Sequence, residues 1–311
     1  MIDYFRAKIA TEIGERITLS FFEPVNTDTG EIREKARAFK EGNIEGIKYT
    51  ISRYHEKKGI VLVHKKTRTE YTTGEKEFSN NYFLKGSIHK WHNNGLHNLG
   101  TLDKTDLSKS ISSICKYFQV NPFEVKITSI EYGVNLYTTA NANTLINYVR
   151  SYKGKPFSLE QYKNSNGKQL TFVLSQYLVK IYSKGQEYKK RYNTPPNLIR
   201  CEIKTLKGQK QRNEFDIYTL EDLNQSKQIQ TLAENLKNTL SELVMFKKAK
   251  GLKGKSLEIA LRMENREEWQ KMKPDKVRHY KKVMVKKYSC INKLRAEVLD
   301  ELDKELRRIT V

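Results

Sequence analysis

Hydrophobic and polar residues alternate along much of the first 220 residues of this chain. The runs 46–51 and 59–64 are rich in β-branched and aromatic residues, which is typical of strands. Turn-forming residues lie before and after these runs, at 26–30 and 72–75. Residues 125–136 alternate regularly, with Ile130, Tyr132, Val134 and Leu136 on one face and Ser129, Glu131, Gly133 and Asn135 on the other. This pattern predicts a central strand with an acid on its polar side.

Two later segments repeat the alternation. In the strand-like run 178–187, Val179 and Ile181 share one face while Lys180 and Tyr182 share the other. In 198–204 the apolar face is Ile199, Cys201 and Ile203, and the polar face is Arg200, Glu202 and Lys204. A turn at 164–167 leads into a further strand at 170–174. If the two segments are neighbouring strands, Glu202 and Tyr182 meet across them.

Helical spacing appears in two segments of this region. One is formed by Leu107, Ile111, Ile114, Cys115 and Phe118, capped by Thr105 or Asp106 and ending before Asn121. The other is formed by Leu145, Ile146, Val149 and Tyr152, entered through Asn141 or Asn143. Beyond residue 220 the pattern is helical throughout, with one apolar stripe at 229–243 and another at 291–309. We predict an α+β antiparallel-sheet domain with flanking helices at 1–220 and a helical region at 221–311.

Charge changes the picture more than any other property of the composition. The 311 residues carry 58 lysines and arginines against 36 acids, a net charge of +22. Such an excess favours a polyanionic partner, and nucleic acid is the first candidate. An anionic membrane surface competes, but no run approaches the roughly 20 apolar residues of a spanning helix, and residues 1–6 lack a signal pattern.

The three cysteines, Cys115, Cys201 and Cys290, are widely separated and show no zinc or redox spacing. They are typical of buried thiols in a reducing compartment, so we expect a protein of the bacterial cytoplasm. No P-loop is present, which argues against a built-in helicase.

Cations are dense in the segment that joins the two C-terminal stripes. The predicted DNA contacts there are Lys247, Lys248, Lys250, Lys253 and Lys255, and two more, Lys180 and Lys184, flank Tyr182. The alternative for the C-terminal lysines is an ordinary solvated helix face. All seven are predicted to contact phosphates.

Metal chemistry is indicated by two acids and a histidine cluster. Glu131 and Glu202 offer oxygen ligands for Mg²⁺ or Mn²⁺, and three of the six histidines, His89, His92 and His97, lie within nine residues. A bound cation would polarise a phosphate that Tyr182 attacks. The alternatives are locally bonded loop histidines, and glutamates paired with lysines on neighbouring strands.

The segments 180–187 and 198–203 resemble the tyrosine-strand and acidic-strand motifs of rolling-circle replication initiators. These are the filamentous-phage gene II type and the plasmid initiators of the replication-initiation-factor family. Upstream, 95–100 (Gly-Leu-His-Asn-Leu-Gly) is similar to the Gly-His-Asn element of the phage type, and 129–135 occupies the place of its acidic strand. The resemblance covers about residues 80–205.

The resemblance implies a metal-dependent nicking and joining domain related to the HUH endonuclease fold. Tyr182 would be the nucleophile, and His97, Glu131 and Glu202 the metal ligands. The chain departs from the motif in three ways: Leu96 separates Gly95 from His97, a glutamate stands at 131 where aspartate is common, and no His-hydrophobic-His pair lies on a strand. His89 or His92 could replace His97, and Asn135 could contribute.

Tyr188 and Tyr192 are four residues apart, the spacing that puts two side chains on one helix face. Some initiators of the family use paired tyrosines to alternate cleavage and rejoining. The alternative is a local pair that stacks on bases or packs against neighbouring residues.

Together these features predict a phage or plasmid rolling-circle replication initiator. It would bind a double-stranded origin and a single-stranded nick site, nick one strand there through a 5′-phosphotyrosine link, and rejoin it with Mg²⁺ or Mn²⁺. A host helicase and polymerase would be its partners. The main alternative is a DNA-binding or origin-binding regulator without catalysis. An RNA-binding protein and a relaxase or transposase also remain open.

Overall fold

The structure, a computed structural model, describes residues 1–21, 38–44, 47–70, 76–153, 157–161 and 167–310. The predicted turns at 26–30 and 72–75, and all but the last residue of the one at 164–167, lie outside these described residues.

The first part of the chain contains most of the strands. Its elements are β1 (Ile2–Ile9), α1 (Thr11–Phe21), β2 (Ala38–Ile44), β3 (Ile47–Lys57), β4 (Ile60–Glu70), β5 (Lys76–Ser87), α2 (Ile88–His92), α3 (Lys104–Phe118) and β6 (Lys126–Tyr137). They are followed by α4 (Ala142–Tyr148), β7 (Val149–Ser151), β8 (Ser158–Gln161), β9 (Lys168–Val173), β10 (Tyr177–Tyr182), α5 (Lys184–Tyr192), β11 (Leu198–Thr205) and α6 (Gly208–Phe215).

The remainder is mainly helical. After a 3₁₀ turn at Glu221–Asn224 come α7 (Ser226–Ser241), β12 (Val244–Met245), α8 (Gly254–Glu264), α9 (Arg266–Lys271), α10 (Pro274–His279), a π-helical turn at Tyr280–Met284, α11 (Val285–Tyr288) and α12 (Asn292–Thr310). The predicted α+β class and the C-terminal helices are therefore confirmed.

The chain forms two compact units. We call residues 2–131 with 207–229 the first unit, and residue 1 with 132–206 and 230–311 the second unit. These units do not follow the boundary at residue 220 that the sequence predicts, because the C-terminal helices share a unit with 132–206. The division into domains 1–220 and 221–311 stays a prediction.

The first unit is built on strands in the order β2-β3-β4-β5-β1-β6. Every strand pair whose register is described there is antiparallel. On β1 the odd-numbered side chains face the interior, and Phe5, Ala7 and Ile9 are buried with Asp3 among them. Helix α3 begins at the N-cap Asp103, whose side chain accepts from the Asp106 amide, so the predicted cap at Thr105 or Asp106 was wrong by two or three residues.

The second unit contains strands in the order β6-β11-β10-β9-β8. In the antiparallel pair β10–β11, Lys180 lies opposite Glu202 and Tyr182 opposite Arg200. This register confirms that the two polar faces share one side of the sheet. The predicted strand-like run extends to residue 187, whereas strand β10 ends at Tyr182 and helix α5 begins at Lys184.

One predicted helix is shorter than its apolar spacing indicates. Helix α4 begins after the cap Asn141 and ends at Tyr148, so Val149 and Tyr152 lie outside it. Val149 instead opens β7, which pairs with β12 about 95 residues later in the chain. Pairing with that distant strand replaces the last helical turn.

The helices between β12 and α12 enclose a small apolar core. Its buried members are Val244, Phe246, Ala260, Met263, Trp269, Val277, Val285 and Tyr288. The indole of Trp269 is fully buried and donates its Nε1 hydrogen to the Met263 carbonyl at 2.7 Å. These contacts hold the lysine-rich segment on a packed support.

Gly133 on β6 is required by the close approach of β11. A Cβ added there would lie 2.2 Å from the Cys201 carbonyl oxygen and 2.8 Å from Glu202 Cγ. We expect Gly133→Ala to destabilise the chain by about 1–3 kcal/mol, because backbone must move to make room. Urea unfolding measures the change.

Gly208→Ala is the matched control. Its added Cβ comes close only to the end of the Arg212 side chain, which can rotate away, and it lies at an ordinary contact distance of 3.5 Å from the Thr128 carbonyl oxygen. Alanine also favours the helix that starts there. We expect a change of no more than about 1 kcal/mol in either direction. Equal losses in the two variants would contradict the assigned packing of β6 on β11.

Candidate functional site

The hydroxyl of Tyr182 is held between an acid and a base inside the second unit. Tyr182 Oη donates to Glu202 Oε1 at 2.8 Å, and Lys184 Nζ donates to Tyr182 Oη at 3.4 Å. The tyrosine is only 5% exposed. The expectation that Glu202 and Tyr182 meet across neighbouring strands is confirmed.

Glu202 is part of a buried ion pair. Arg200 Nε donates to Glu202 Oε1 at 2.5 Å, and Arg200 Nη1 donates to Asn135 Oδ1 at 2.9 Å. Arg200 and Glu202 are both 2% exposed. Such a pair is stable only when hydrogen bonds replace the water that both charges have lost. Asn135, considered above as a metal ligand, supplies one of those bonds.

Two lysines complete the surroundings of the tyrosine. Lys180 Nζ lies 3.8 Å from Glu202 Oε2, so the alternative in which Glu202 pairs with a lysine of the neighbouring strand is also realised. Lys184 is 1% exposed, and its ammonium contacts Glu187 Oε2 at 3.0 Å as well as Tyr182. Lys184 therefore acts within the site, and its contact with DNA stays a prediction.

A second set of acids lies in the first unit. Asp3 on β1 and Glu131 on β6 are both buried, and carboxylate oxygens of the two lie within 4.8 Å of each other. Ser87 Oγ donates to Asp3 Oδ1 at 2.6 Å, and Asn98 Nδ2 donates to Asp3 Oδ2 at 2.5 Å. Two adjacent buried carboxylates are a donor set that suits a hard divalent ion.

The predicted histidine ligand lies in a loop beside this pair. His97 Nδ1 accepts from the Leu99 amide at 3.4 Å, and its neighbour Asn98 binds Asp3. Within the described ranges, no histidine joins Asp3 and Glu131 in a group close enough to share an ion. His97 as a ligand stays a prediction.

The other two histidines of the cluster have different settings. His89 is buried in α2, while His92 Nε2 lies 3.7 Å from Asp106 Oδ2 in a half-exposed ion pair. The three histidines are close in sequence because His89 and His92 both lie in the short helix α2 and His97 lies in the loop that follows it.

Asp3 is the functional candidate that sequence reasoning missed. The signal was present, because Asp3 is in phase with Phe5, Ala7 and Ile9 on the inner face of β1. A charged residue at an apolar phase of a strand is rarely buried without a partner. That position alone marks Asp3 as a candidate.

Five of the seven predicted DNA-binding lysines lie in the C-terminal helical segment. Lys247, Lys250, Lys253 and Lys255 are exposed and Lys248 is half-buried. Residues 246–291, the basic segment, carry 15 lysines and arginines against five acids, a net +10 of the +22 of the whole chain. Helix α12 has equal numbers of basic and acidic residues. Positive charge is thus concentrated over the small apolar core.

No helix in the part of the chain that the structure describes is both long and apolar enough to cross a membrane.

Comparison with known proteins adds one distant likeness. No family model and no curated protein matches the chain. Among solved structures, the chain is similar to a rolling circle replication initiator protein from Geobacillus stearothermophilus, with a TM-score of 0.37 and 11% identity over 88% of this chain and 92% of that one. A likeness of this size shows no family membership.

The thiol beside the buried ion pair should be unreactive. Burial raises the pKa of Cys201 to about 12, an effect that Arg200 opposes and Glu202 reinforces. Burial also raises the pKa of Cys115 to about 12, whereas Cys290 is exposed. At pH 8 we expect a disulfide reagent to label one thiol of the native chain, Cys290, and all three thiols in urea.

Cys290→Ser is the control, since it should abolish native labelling. Rapid native labelling of Cys201 would contradict the burial of this strand face.

The raised pKa of the buried thiols also affects stability. The unfolded chain releases these protons more readily than the folded chain, so the free energy of unfolding falls as the pH rises above the ordinary thiol pKa of 9.0.

Proposed function

We propose that this chain is a rolling-circle replication initiator that binds an origin and nicks and rejoins one DNA strand through Tyr182. The observation that carries the proposal is the hydrogen bond from Tyr182 Oη to Glu202 Oε1, with Lys184 Nζ on the other side of the hydroxyl. A phenol placed between a carboxylate and an ammonium can lose its proton to one while the other stabilises the developing oxyanion.

The reaction follows from these positions. Glu202 accepts the phenol proton, Tyr182 Oη forms a bond to phosphorus, and the bond from phosphorus to the 3′ oxygen breaks. The departing 3′ oxygen takes a proton from water, so the products are a 5′-phosphotyrosine link and a 3′ hydroxyl, and the energy of the phosphodiester is kept. A later 3′ hydroxyl can attack the link in reverse and close the strand without ATP.

Asp3 and Glu131 are proposed to hold a divalent cation, Mg²⁺ or Mn²⁺. Their adjacent buried carboxylates support this, as do the hydrogen bonds from Ser87 and Asn98 that fix Asp3. When bound, the cation would polarise the scissile phosphate.

Glu202 and His97 remain proposed as additional ligands. For Glu202, the oxygen that could serve a cation is Oε2, which contacts Lys180 Nζ at 3.8 Å, because Oε1 already accepts from Tyr182 and Arg200.

Origin binding is proposed for the basic segment. Its exposed lysines provide sequence-independent attraction to phosphates, and the apolar core beneath them fixes their spacing. A host helicase and polymerase are proposed partners, and the bacterial cytoplasm the proposed location.

We expect Tyr182→Phe to abolish covalent adducts while leaving non-covalent DNA affinity within about twofold, because only the attacking oxygen is lost. Purified protein is incubated with single-stranded oligonucleotides tiled across its replicon, with and without Mn²⁺, and resolved on a denaturing gel. A metal-dependent shifted band in the native chain alone supports the proposal.

Tyr177→Phe is the matched control, since it removes a hydroxyl from the same strand at its far end. It should form adducts at the native level. If no tile yields an adduct while DNA still binds tightly, the chain is a DNA-binding module without catalysis. That account would also agree with the low exposure of Tyr182.

Removing a carboxylate from the proposed cation site should weaken metal binding in the absence of DNA. We expect Asp3→Asn and Glu131→Gln each to lower Mn²⁺ affinity by about 10-fold or more, because a neutral amide is a poorer ligand for a hard ion. Titration calorimetry measures the Mn²⁺ affinity of each variant directly.

Glu124→Gln, which removes the same charge from an exposed position, is the control. Mn²⁺ affinity that is equal in all four proteins would exclude the Asp3–Glu131 pair as the metal site, whatever the outcome of the adduct assay.

A further inference from the structure

Helix α5 connects the Tyr182 hydroxyl to the protein surface through a row of rings and cations. Lys184, Tyr188 and Tyr192 are spaced four residues apart and lie on one helix face. Lys184 Nζ, which donates to Tyr182 Oη, lies 4.6 Å from the centre of the Tyr188 ring. The row therefore begins at the proposed nucleophile.

The row continues outward along the helix. The ring centres of Tyr188 and Tyr192 are 5.7 Å apart, and the Arg191 guanidinium carbon lies 5.3 Å from the Tyr192 ring centre. Both tyrosines are half-buried, so each is fixed by the protein yet keeps part of its surface open.

The charge of the helix matches a nucleic-acid strand. Its nine residues contain four lysines and arginines and one acid, and Lys189, Lys190 and Arg191 are exposed. Rings interleaved with cations are the arrangement that binds unpaired nucleotides, because bases stack on the rings while phosphates pair with the cations. The bases of a duplex are already stacked on each other, so the rings add no stacking contribution to duplex binding.

We infer that the α5 face formed by Tyr188 and Tyr192, with its adjoining cations, binds the unpaired nucleotides next to the scissile phosphate. The inference rests on the proposed function for the position of that phosphate. The occupant is single-stranded DNA, since the row begins at the Tyr182 hydroxyl and its charge is positive. The tyrosines act here as stacking surfaces, and their hydroxyls are not required.

The experiment measures non-covalent binding in the Tyr182→Phe chain with EDTA, so that no covalent link contributes. Fluorescence anisotropy compares a labelled oligothymidine with a labelled duplex. We expect Tyr188→Ala and Tyr192→Ala each to weaken oligothymidine binding by about 5- to 100-fold and to leave duplex binding unchanged. Tyr188→Phe and Tyr192→Phe should bind as the parent does, because phenylalanine keeps the ring.

Tyr218→Ala is the matched control, because it removes an exposed tyrosine of the first unit. Alanine variants that bind oligothymidine as well as this control does would overturn the inference. An equal loss on duplex and single strand would also overturn it, because stacking on unpaired bases would then not be the cause.

A second measurement covers the case in which an alanine variant does not fold. An oligonucleotide containing 5-iodouracil is irradiated with the parent chain, and the crosslinked peptide is identified by mass spectrometry. Crosslinks at Tyr188 or Tyr192 support the inference, and crosslinks that avoid residues 184–193 overturn it. Neither assay depends on nicking, so failure of the adduct experiment and failure of this one are separate results.

Discussion

The buried pair of Arg200 and Glu202 is the interaction on which the polar face of β10 and β11 depends. Removing two charges from water costs several kcal/mol per ion, and only a complete set of hydrogen bonds offsets that cost. Glu202 receives bonds from Arg200 and Tyr182, and Arg200 also donates to Asn135. Loss of any one partner removes a hydrogen bond from a buried charge or hydroxyl, so these residues constrain one another.

That constraint also shapes the chemistry open to Tyr182. In a poorly solvated setting the attraction between Lys184 and a developing phenolate is stronger than it would be in water. The carboxylate of Glu202 is fixed by Arg200 and needs no reorganisation to accept a proton. The same network that stabilises the sheet thus holds both proton acceptor and cation at hydrogen-bonding distance from one oxygen.

Sequence reasoning worked where the pattern is local. Period-two alternation placed Tyr182 and Glu202 on one side of paired strands, as the register shows. It failed where the partner is distant. Val149 continues the helical spacing of α4, yet it pairs with β12, which no local window contains. The pairing of Asp3 with Glu131 was missed for a similar reason, because the two lie over 120 residues apart in sequence and carry no local signal of their proximity.

The lysines of the basic segment and Lys184 differ in their exposure to solvent, and this difference changes how salt affects them. The exposed lysines of the basic segment are proposed to bind DNA, and attraction to phosphates through counterion release falls steeply as salt increases. Lys184 is withdrawn from solvent, and mobile ions screen its interaction with Tyr182 far less. Under the proposed function, DNA binding and the reactivity of Tyr182 would therefore depend differently on ionic strength. The net charge of +22 would make DNA affinity sensitive to salt without extending that sensitivity to the Tyr182 hydroxyl.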